Sequence, residues 1–274
     1  MMLDSVKNIA RPLKEAAITY LNHYNDSAYL EWYFKHSKHL AKFKNLHQGE
    51  SCFIIGNGPS LNKTNLAALR DYHTFGLNKI YLMLNKVDLN LSYHVAVNPF
   101  VIEQSVKEFE SMTCPSFLSY KAARGVIHNL NDVYFITTGG PYTFQPNLLK
   151  EIPEGHTVTY VAMQIAFYMG FSKVFLIGVD HNFKATGSPD ELQTLQGEDA
   201  NHFDPQYFGN QQWQLPNLEA SELSYQLARF FFKRAGGQIY DATIDGNLQI
   251  FPKISFEQAL DMCTKKSDRI TGLA

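Results

Sequence analysis

Cys52-Phe53-Ile54-Ile55-Gly56-Asn57-Gly58-Pro59-Ser60-Leu61 sets a short apolar run directly against a turn of small and polar residues. Four consecutive apolar side chains are strand length, and their continuity fits a strand buried on both faces, as in a parallel sheet. Glycines let backbone N–H groups approach a phosphate closely, and a helix starting just beyond would add a favourable dipole. The segment therefore predicts a strand, a glycine loop and a helix start, with Gly56, Asn57, Gly58, Pro59 and Ser60 as a phosphate-holding turn. The same residues also describe a plain tight turn with Ser60 or Asn62 capping a helix. The loop has neither the Lys of a Walker P-loop nor the third Gly of a dinucleotide fingerprint.

Downstream of this loop the pattern repeats. Apolar runs at Thr74–Leu77, Tyr93–Val97, Ser116–Ser119, Val133–Thr137 and Val174–Ile177 alternate with helical stretches at Asn62–Leu69, Val101–Phe109 and Thr159–Met169. Strands alternating with helices predict an α/β, Rossmann-like fold, a mostly parallel sheet with helices on both faces. Phe183 to Pro216 is rich in Gly, Asp, Asn, Gln and Pro, which marks a lid-like loop region. A helix over Ser221–Ala235, short strands at Gln238–Tyr240 and Leu248–Phe251 and a helix over Phe256–Met262 follow. Upstream, apolar residues recur at three and four from Ser5 to about Leu46, with a break at Asn25-Asp26-Ser27. Two amphipathic helices are expected there, so residues 1–48 form an N-terminal helical extension and 49–274 the main domain, its lid at about 183–216. The Lys and His residues of the extension (Lys35, His36, Lys38, His39, Lys42, Lys44, His47) fit a solvated face, the lesser alternative being a surface that meets an anionic partner.

The composition excludes several classes. With 45% hydrophobic and 18% charged residues the chain is globular. A net charge of −2 supplies no field for steering onto nucleic acid. Three scattered cysteines, Cys52, Cys114 and Cys263, make neither a disulfide framework nor a zinc site and suit a reducing cytoplasm. No signal peptide and no run of about 20 apolar residues is present, so no membrane span is expected, and peripheral membrane contact stays open.

Three asparagines fall at the ends of consecutive strands: Asn57, Asn78 and Asn98. In an open parallel sheet ligands bind outside the carboxyl ends of the strands, so these amides can converge on one crevice, each offering a donor and an acceptor. Each is also an ordinary turn former. The strand Val174–Ile177 ends in Gly178-Val179-Asp180-His181-Asn182, where Asp180 can orient a ribose hydroxyl, a loop backbone or a histidine. Asp180 and His181 also suggest a metal, but no spaced partner supports a strong site, so a metal is left undetermined. His202, within the lid, is the residue type that removes a proton near neutral pH, and a closing loop can carry it over an acceptor hydroxyl. Tyr207, Phe208, Trp213 and Leu215 can wall a sugar or simply pack the lid.

Gly56 to Leu61, Asn78, Asn98-Pro99, the helix from Thr157 to Gly170, Gly178-Val179-Asp180 and the downstream His202 occur in the order seen in bacterial sialyltransferases that use CMP-sugars. The chain resembles more closely the related domain family of unassigned function that includes archaeal-type 6-hydroxymethyl-7,8-dihydropterin pyrophosphokinases. The resemblance covers roughly Ser51 to Gln212, with Ser221 to Phe251 continuing the closer family's pattern. It implies donor contacts at Gly56, Asn57, Gly58, Pro59, Ser60, Asn78, Asn98, Thr157, Thr159, Gly178 and Asp180, with His202 as general base. The reaction it implies is inverting and metal-independent glycosyl transfer from a nucleotide-activated sugar, a CMP-sugar by resemblance, to a glycan or small hydroxyl acceptor. Two departures stand out: His181-Asn182-Phe183 replaces the tyrosines that help the phosphate depart, and Thr157-Val158-Thr159 replaces the Thr-Ser-Gly that meets the sialyl carboxylate. The alternatives are an ATP-dependent pterin diphosphokinase, which would need Mg²⁺ held by carboxylates such as Asp180 and Asp88, and a non-catalytic nucleotide-sugar-binding protein.

Overall fold

A computed structural model describes residues 17–140, 142–184 and 186–269. Seven strands form one sheet: β1 (Ser51–Ile55), β2 (His73–Leu77), β3 (Tyr93–Ala96), β4 (Ser116–Ser119), β5 (Val133–Ile136), β6 (Lys173–Ile177) and β9 (Gln238–Asp241). Their order is β5-β4-β3-β2-β1-β6-β9, and every pairing is parallel. This is the α/β, Rossmann-like architecture expected from the alternation of strands and helices.

All five residues of β1 are buried because β2 and β6 flank it and helices cover both faces. In register, Phe53 stands beside Phe175, their ring centroids 5.3 Å apart, and Phe75 stands beside Tyr93 at 4.9 Å. Such cross-strand aromatic pairs tie neighbouring strands, and full burial of each Phe contributes about 1.5–3 kcal/mol. The covering helices are α1 (Ser27–Lys35), α2 (Pro99–Gln104), α3 (Val158–Met169), α4 (Leu218–Arg234) and α5 (Phe256–Met262). Helix α3 is apolar nearly all round and almost wholly buried between the sheet and α4. It stops at Gly170, which takes the left-handed conformation (φ 90°) that a side chain would oppose.

Several local expectations change. Asn62–Leu69 is not an α-helix but two 3₁₀ turns, Pro59–Lys63 and Leu66–Leu69, interrupted where Thr64 is extended in a run of poor helix formers. Val101–Phe109 divides at the buried Ser105 into α2 and the short helix Val106–Glu110. Leu248–Phe251 forms no strand: Leu248 and Phe251 plug the core, and Pro252 contributes its carbonyl to Asp241 N–H without a donor to extend a ladder. The N-terminal break is where Asn25-Asp26-Ser27 predicts it, with Asp26 capping α1 through Tyr29 N–H at 2.9 Å. The first expected helix lies largely outside the described residues. The basic face is only partly solvated, since His36 packs against Tyr120 and Phe135 and His47 is buried.

The lid is an ordered layer. Within it β7 (Leu192–Thr194) and β8 (Gln212–Gln214) pair antiparallel, while Phe203, Tyr207, Phe208, Trp213 and Leu215 are buried. It is pinned to the sheet by Lys79, whose Nζ donates to Tyr207 O at 2.8 Å, Gln211 Oε1 at 2.7 Å and Gln104 Oε1 at 2.9 Å. Burial pushes this amine down to about 8.

Candidate functional site

The chain builds β2 to β5 on one side of β1, then crosses to place β6 and β9 on the other. The segments leaving β1 and β6 therefore diverge and open a crevice at their carboxyl ends, the switch point where open parallel sheets bind ligands. Two communicating chambers occupy it. The larger, about 560 Å³, is bounded by Asn98, Tyr142, Phe208 and Trp213; the smaller, about 150 Å³, by Asn57, Gly58, Asp180 and Tyr225. Asn78, His156, Thr157, Phe183, His202 and Asn217 line both.

The glycine loop reaches this crevice, but its backbone is engaged elsewhere. Gly56 N–H donates to Ile177 O at 2.8 Å and Gly58 N–H to Gly178 O at 2.9 Å. A Cβ on Gly56 would lie 2.3 Å from Gly178 O, and one on Gly58 would lie 1.8 Å from Asp180 Oδ2. The glycines thus allow two loops to lie against each other, which is their first role here. Asp180 clamps the junction by accepting from Ser60 N–H at 3.1 Å and Ser60 Oγ at 2.6 Å. Burial raises its carboxyl above the usual range against those hydrogen bonds. Of the readings open for Asp180, orienting a loop backbone is the one the geometry shows. Pro59 opens the 3₁₀ turn, so no long helix dipole follows the loop.

The asparagines divide. Asn57 Oδ1 and Asn78 Oδ1 are buried and, among the described residues, have no hydrogen-bond partner although both residues line the smaller chamber. An unpaired buried carbonyl is costly, and a ligand donor would relieve it. Asn78 holds a left-handed backbone (φ 48°), with His94 Nε2 2.9 Å from its carbonyl oxygen. Asn98 lines the larger chamber but commits Oδ1 to capping α2, through Phe100 N–H at 2.9 Å and Val101 N–H at 3.3 Å.

Helix dipoles come instead from α3 and α4. Thr157, the N-cap of α3, together with Val158 and Thr159, and Asn217, the N-cap of α4, together with Leu218 and Ser221, all line the smaller chamber. Two helix N-termini directed at one chamber favour an anion there. Among the described residues no Lys or Arg lines either chamber; the titratable cationic groups are His156, His181 and His202.

Each of these histidines has a carboxylate partner. His202 Nδ1 lies 2.8 Å from Asp199 Oδ2, and Asp199, only 1% exposed at its side chain, also accepts from Asn201 N–H at 2.9 Å. The imidazole stacks on Tyr207 at 4.1 Å and 5°, with Phe208 and Trp213 edge-on. The ring is therefore fixed in plane and direction, leaving Nε2 as the nitrogen for the cavity. His181 Nε2 lies 2.8 Å from Glu222 Oε1, and His156 Nδ1 lies 3.3 Å from Asp190 Oδ1 while its Nε2 meets the Tyr142 hydroxyl. Asp199, His156 and Glu222 are the residues of this arrangement that the sequence reading did not single out. Asp199, three before His202, was open to being found by its spacing; Glu222 and Asp190 meet their histidines only through the fold. Asp88 pairs with Arg70 at 3.0 Å on the surface and lines neither chamber.

Comparison with known proteins adds the following. No curated protein matches the chain. Among solved structures, the MAf glycosyltransferase from Magnetospirillum magneticum AMB-1 superposes with a TM-score of 0.51 at 14% identity, over 84% of this chain and 39% of that one. The likeness is one of fold, and this chain spans about two fifths of the glycosyltransferase's length. Among the described residues no helix is long and apolar enough to cross a membrane. A family model for 6-hydroxymethylpterin diphosphokinase MptE-like proteins matches residues 23–186, from just before α1 into the first residues of the lid and short of Asp199 and His202. With more than half of its length so matched, the chain belongs to the 6-hydroxymethylpterin diphosphokinase MptE-like family.

Proposed function

We propose that this protein is a transferase that moves the sugar of a nucleotide-activated donor, a CMP-sugar by resemblance, onto a hydroxyl acceptor with inversion. The observation that carries the reading is the Asp199–His202 pair at the junction of the two chambers: a histidine locked by a buried carboxylate at 2.8 Å is built to accept a proton. The donor's phosphate lies in the smaller chamber, before the N-termini of α3 and α4, where Asn57 and Asn78 accept hydrogen bonds from the nucleoside or sugar. The acceptor enters the larger chamber along Phe208 and Trp213. His202 Nε2 takes the proton of the acceptor hydroxyl, the oxygen attacks the anomeric carbon from the side opposite the phosphate, and the C–O bond to the nucleotide breaks. The electron pair leaves on the phosphate, whose charge the helix dipoles stabilise.

The family match favours a second reading, diphosphate transfer from ATP to a pterin alcohol, which uses the same base on a different electrophile. One experiment separates the two. Thermal shift is measured with CMP, CDP, UDP, GDP and ATP, each with and without Mg²⁺, because stabilisation follows occupancy of the native state. Selective stabilisation by a cytidine nucleotide without Mg²⁺ is expected; selectivity for ATP with Mg²⁺ moves the assignment to the diphosphokinase. His202→Ala is expected to keep the nucleotide shift and lose turnover about 10²–10⁴-fold. Undiminished turnover in that variant would remove the base.

A further inference from the structure

At the amino edge of the sheet, opposite the histidine-lined cavity, a second cluster gathers His47, Glu50 and His73. His47 and Glu50 stand on the turn that leads into β1, and His73 opens β2. Glu50 Oε2 lies 2.6 Å from His47 Nδ1 and 3.1 Å from His73 Nε2, and the three ligating atoms all lie within 4.8 Å of one another. We propose that these residues form a site for a divalent transition-metal ion of the zinc type, three protein ligands that join the turn before β1 to β2.

Two imidazole nitrogens and one carboxylate oxygen are a donor set suited to such an ion, and they leave a fourth position for water. On a tetrahedral ion with bonds of about 2.0–2.1 Å the ligand atoms stand about 3.3 Å apart, so seating it needs side-chain shifts of about 1 Å. The backbone is already fixed for this. His47 N–H donates to Met169 O at 2.8 Å, Gly49 N–H to Gly170 O at 2.9 Å and Glu50 N–H to His47 O at 3.0 Å. Phe171 stacks on the His47 ring at 4.5 Å and 15°, and His47 Nε2 lies 2.5 Å from Tyr93 OH. Donation of Nε2–H to Tyr93 would leave the Nδ1 lone pair for an ion held with Glu50 and His73, the outer-sphere arrangement that orients a metal-binding histidine. The Glu50 and His73 side chains keep 17% and 15% of their surface exposed, which gives an ion a path from solvent. The site is independent of the proposed donor cavity, since its residues line neither chamber.

The test is calorimetric titration of the chelator-stripped 274-residue chain with Zn²⁺, beside thermal melts with Zn²⁺ and with Mg²⁺. Expected are one Zn²⁺ per chain, a rise in Tm with Zn²⁺ alone, loss of both in Glu50→Gln and His73→Ala, and about tenfold weaker binding in Tyr93→Phe. The chain has ten histidines, so binding that persists unchanged in Glu50→Gln and His73→Ala lies elsewhere and overturns the proposal. Absence of stoichiometric binding in the unmodified protein, or equal stabilisation by Mg²⁺, overturns it as well. Should either variant fail to fold, the unmodified protein decides: a Co²⁺ absorption spectrum of a four-coordinate site, displaced by one equivalent of Zn²⁺, is expected, and its absence is contrary.

Discussion

At the residue scale, the proposed function turns on how Asp199 holds His202. Because Asp199 is buried and bonded to Nδ1, replacing it with Asn keeps the shape while removing the charge that orients and stabilises the imidazolium. Asp199→Asn is expected to lower kcat roughly 10²-fold or more, with nucleotide-induced stabilisation unchanged; a parallel loss of that stabilisation would make Asp199 a folding residue. His94 offers a pH prediction of a different kind. Fully buried in β3, with Nε2 at Asn78 O and Nδ1 3.3 Å from Ser116 Oγ, it is driven by burial down to about 4 from an ordinary 6.5. The unfolded chain therefore binds a proton between pH 6.5 and 4 that the native state does not, so stability is full above 6.5 and falls as pH drops through that window. The shift corresponds to about 3 kcal/mol. Denaturant unfolding at pH 7, 5.5 and 4.5 should show this slope, and His94→Gln should flatten it.

At the scale of elements, the lid-like segment 183–216 supplies His202, Phe208 and Trp213 to the wall of the larger chamber. Lys79 joins it to β2 through three acceptors at 2.7–2.9 Å, two of them on the lid. Lys79→Met keeps the apolar stem and leaves Tyr207 O and Gln211 without that donor, at a cost of about 1–3 kcal/mol. Limited proteolysis should then cleave within residues 183–216 faster than in the unmodified protein while the sheet stays intact. An unchanged cleavage rate would show that Phe203, Tyr207, Phe208 and Trp213 hold the lid by packing alone. The lid also rests on the glycine loop, since Phe203 N–H donates to Asn57 O and Asn62 Nδ2 to Phe203 O, both at 2.9 Å. The first of these bonds ties the segment to Asn57, one wall of the smaller chamber.

For the whole molecule, α1 packs with the sheet as one unit. Trp32 on α1 is fully buried, and its indole N–H donates to Phe135 O on β5 at 2.8 Å. It covers the edge of the sheet farthest from β9. Trp32→Ala removes both the burial and the bond and is expected to destabilise the entire domain by about 3–5 kcal/mol in a single cooperative transition. A biphasic denaturation curve, in which α1 melts before the sheet, would instead define a separate unit. The sheet order has the widest consequence, because the crossing from β5 to β6 over β1 creates the crevice lined by the expected donor contacts except Pro59 and Ser60, which line neither chamber.

The alternation of buried apolar runs with helical stretches determined the Rossmann-like class, because a strand buried on both faces must be apolar throughout and its neighbours must then be covering helices. The same logic placed Asn57, Asn78, Asn98 and Gly178 at strand ends and made His202 a candidate, all from local pattern. Where each polar group points was a tertiary matter. Gly56 met β6 and Gly58 met Gly178 just beyond it through their N–H groups, Asn98 became a cap, and Ser60 met Asp180 across 120 residues. The carboxylate partners of His181 and His156 are 41 and 34 residues distant, and no local periodicity encodes such a meeting. Hydrophobic periodicity is a property of neighbouring residues, so it can be read along the chain. A hydrogen bond between two loops depends on strand order, and only the folded sheet supplies that.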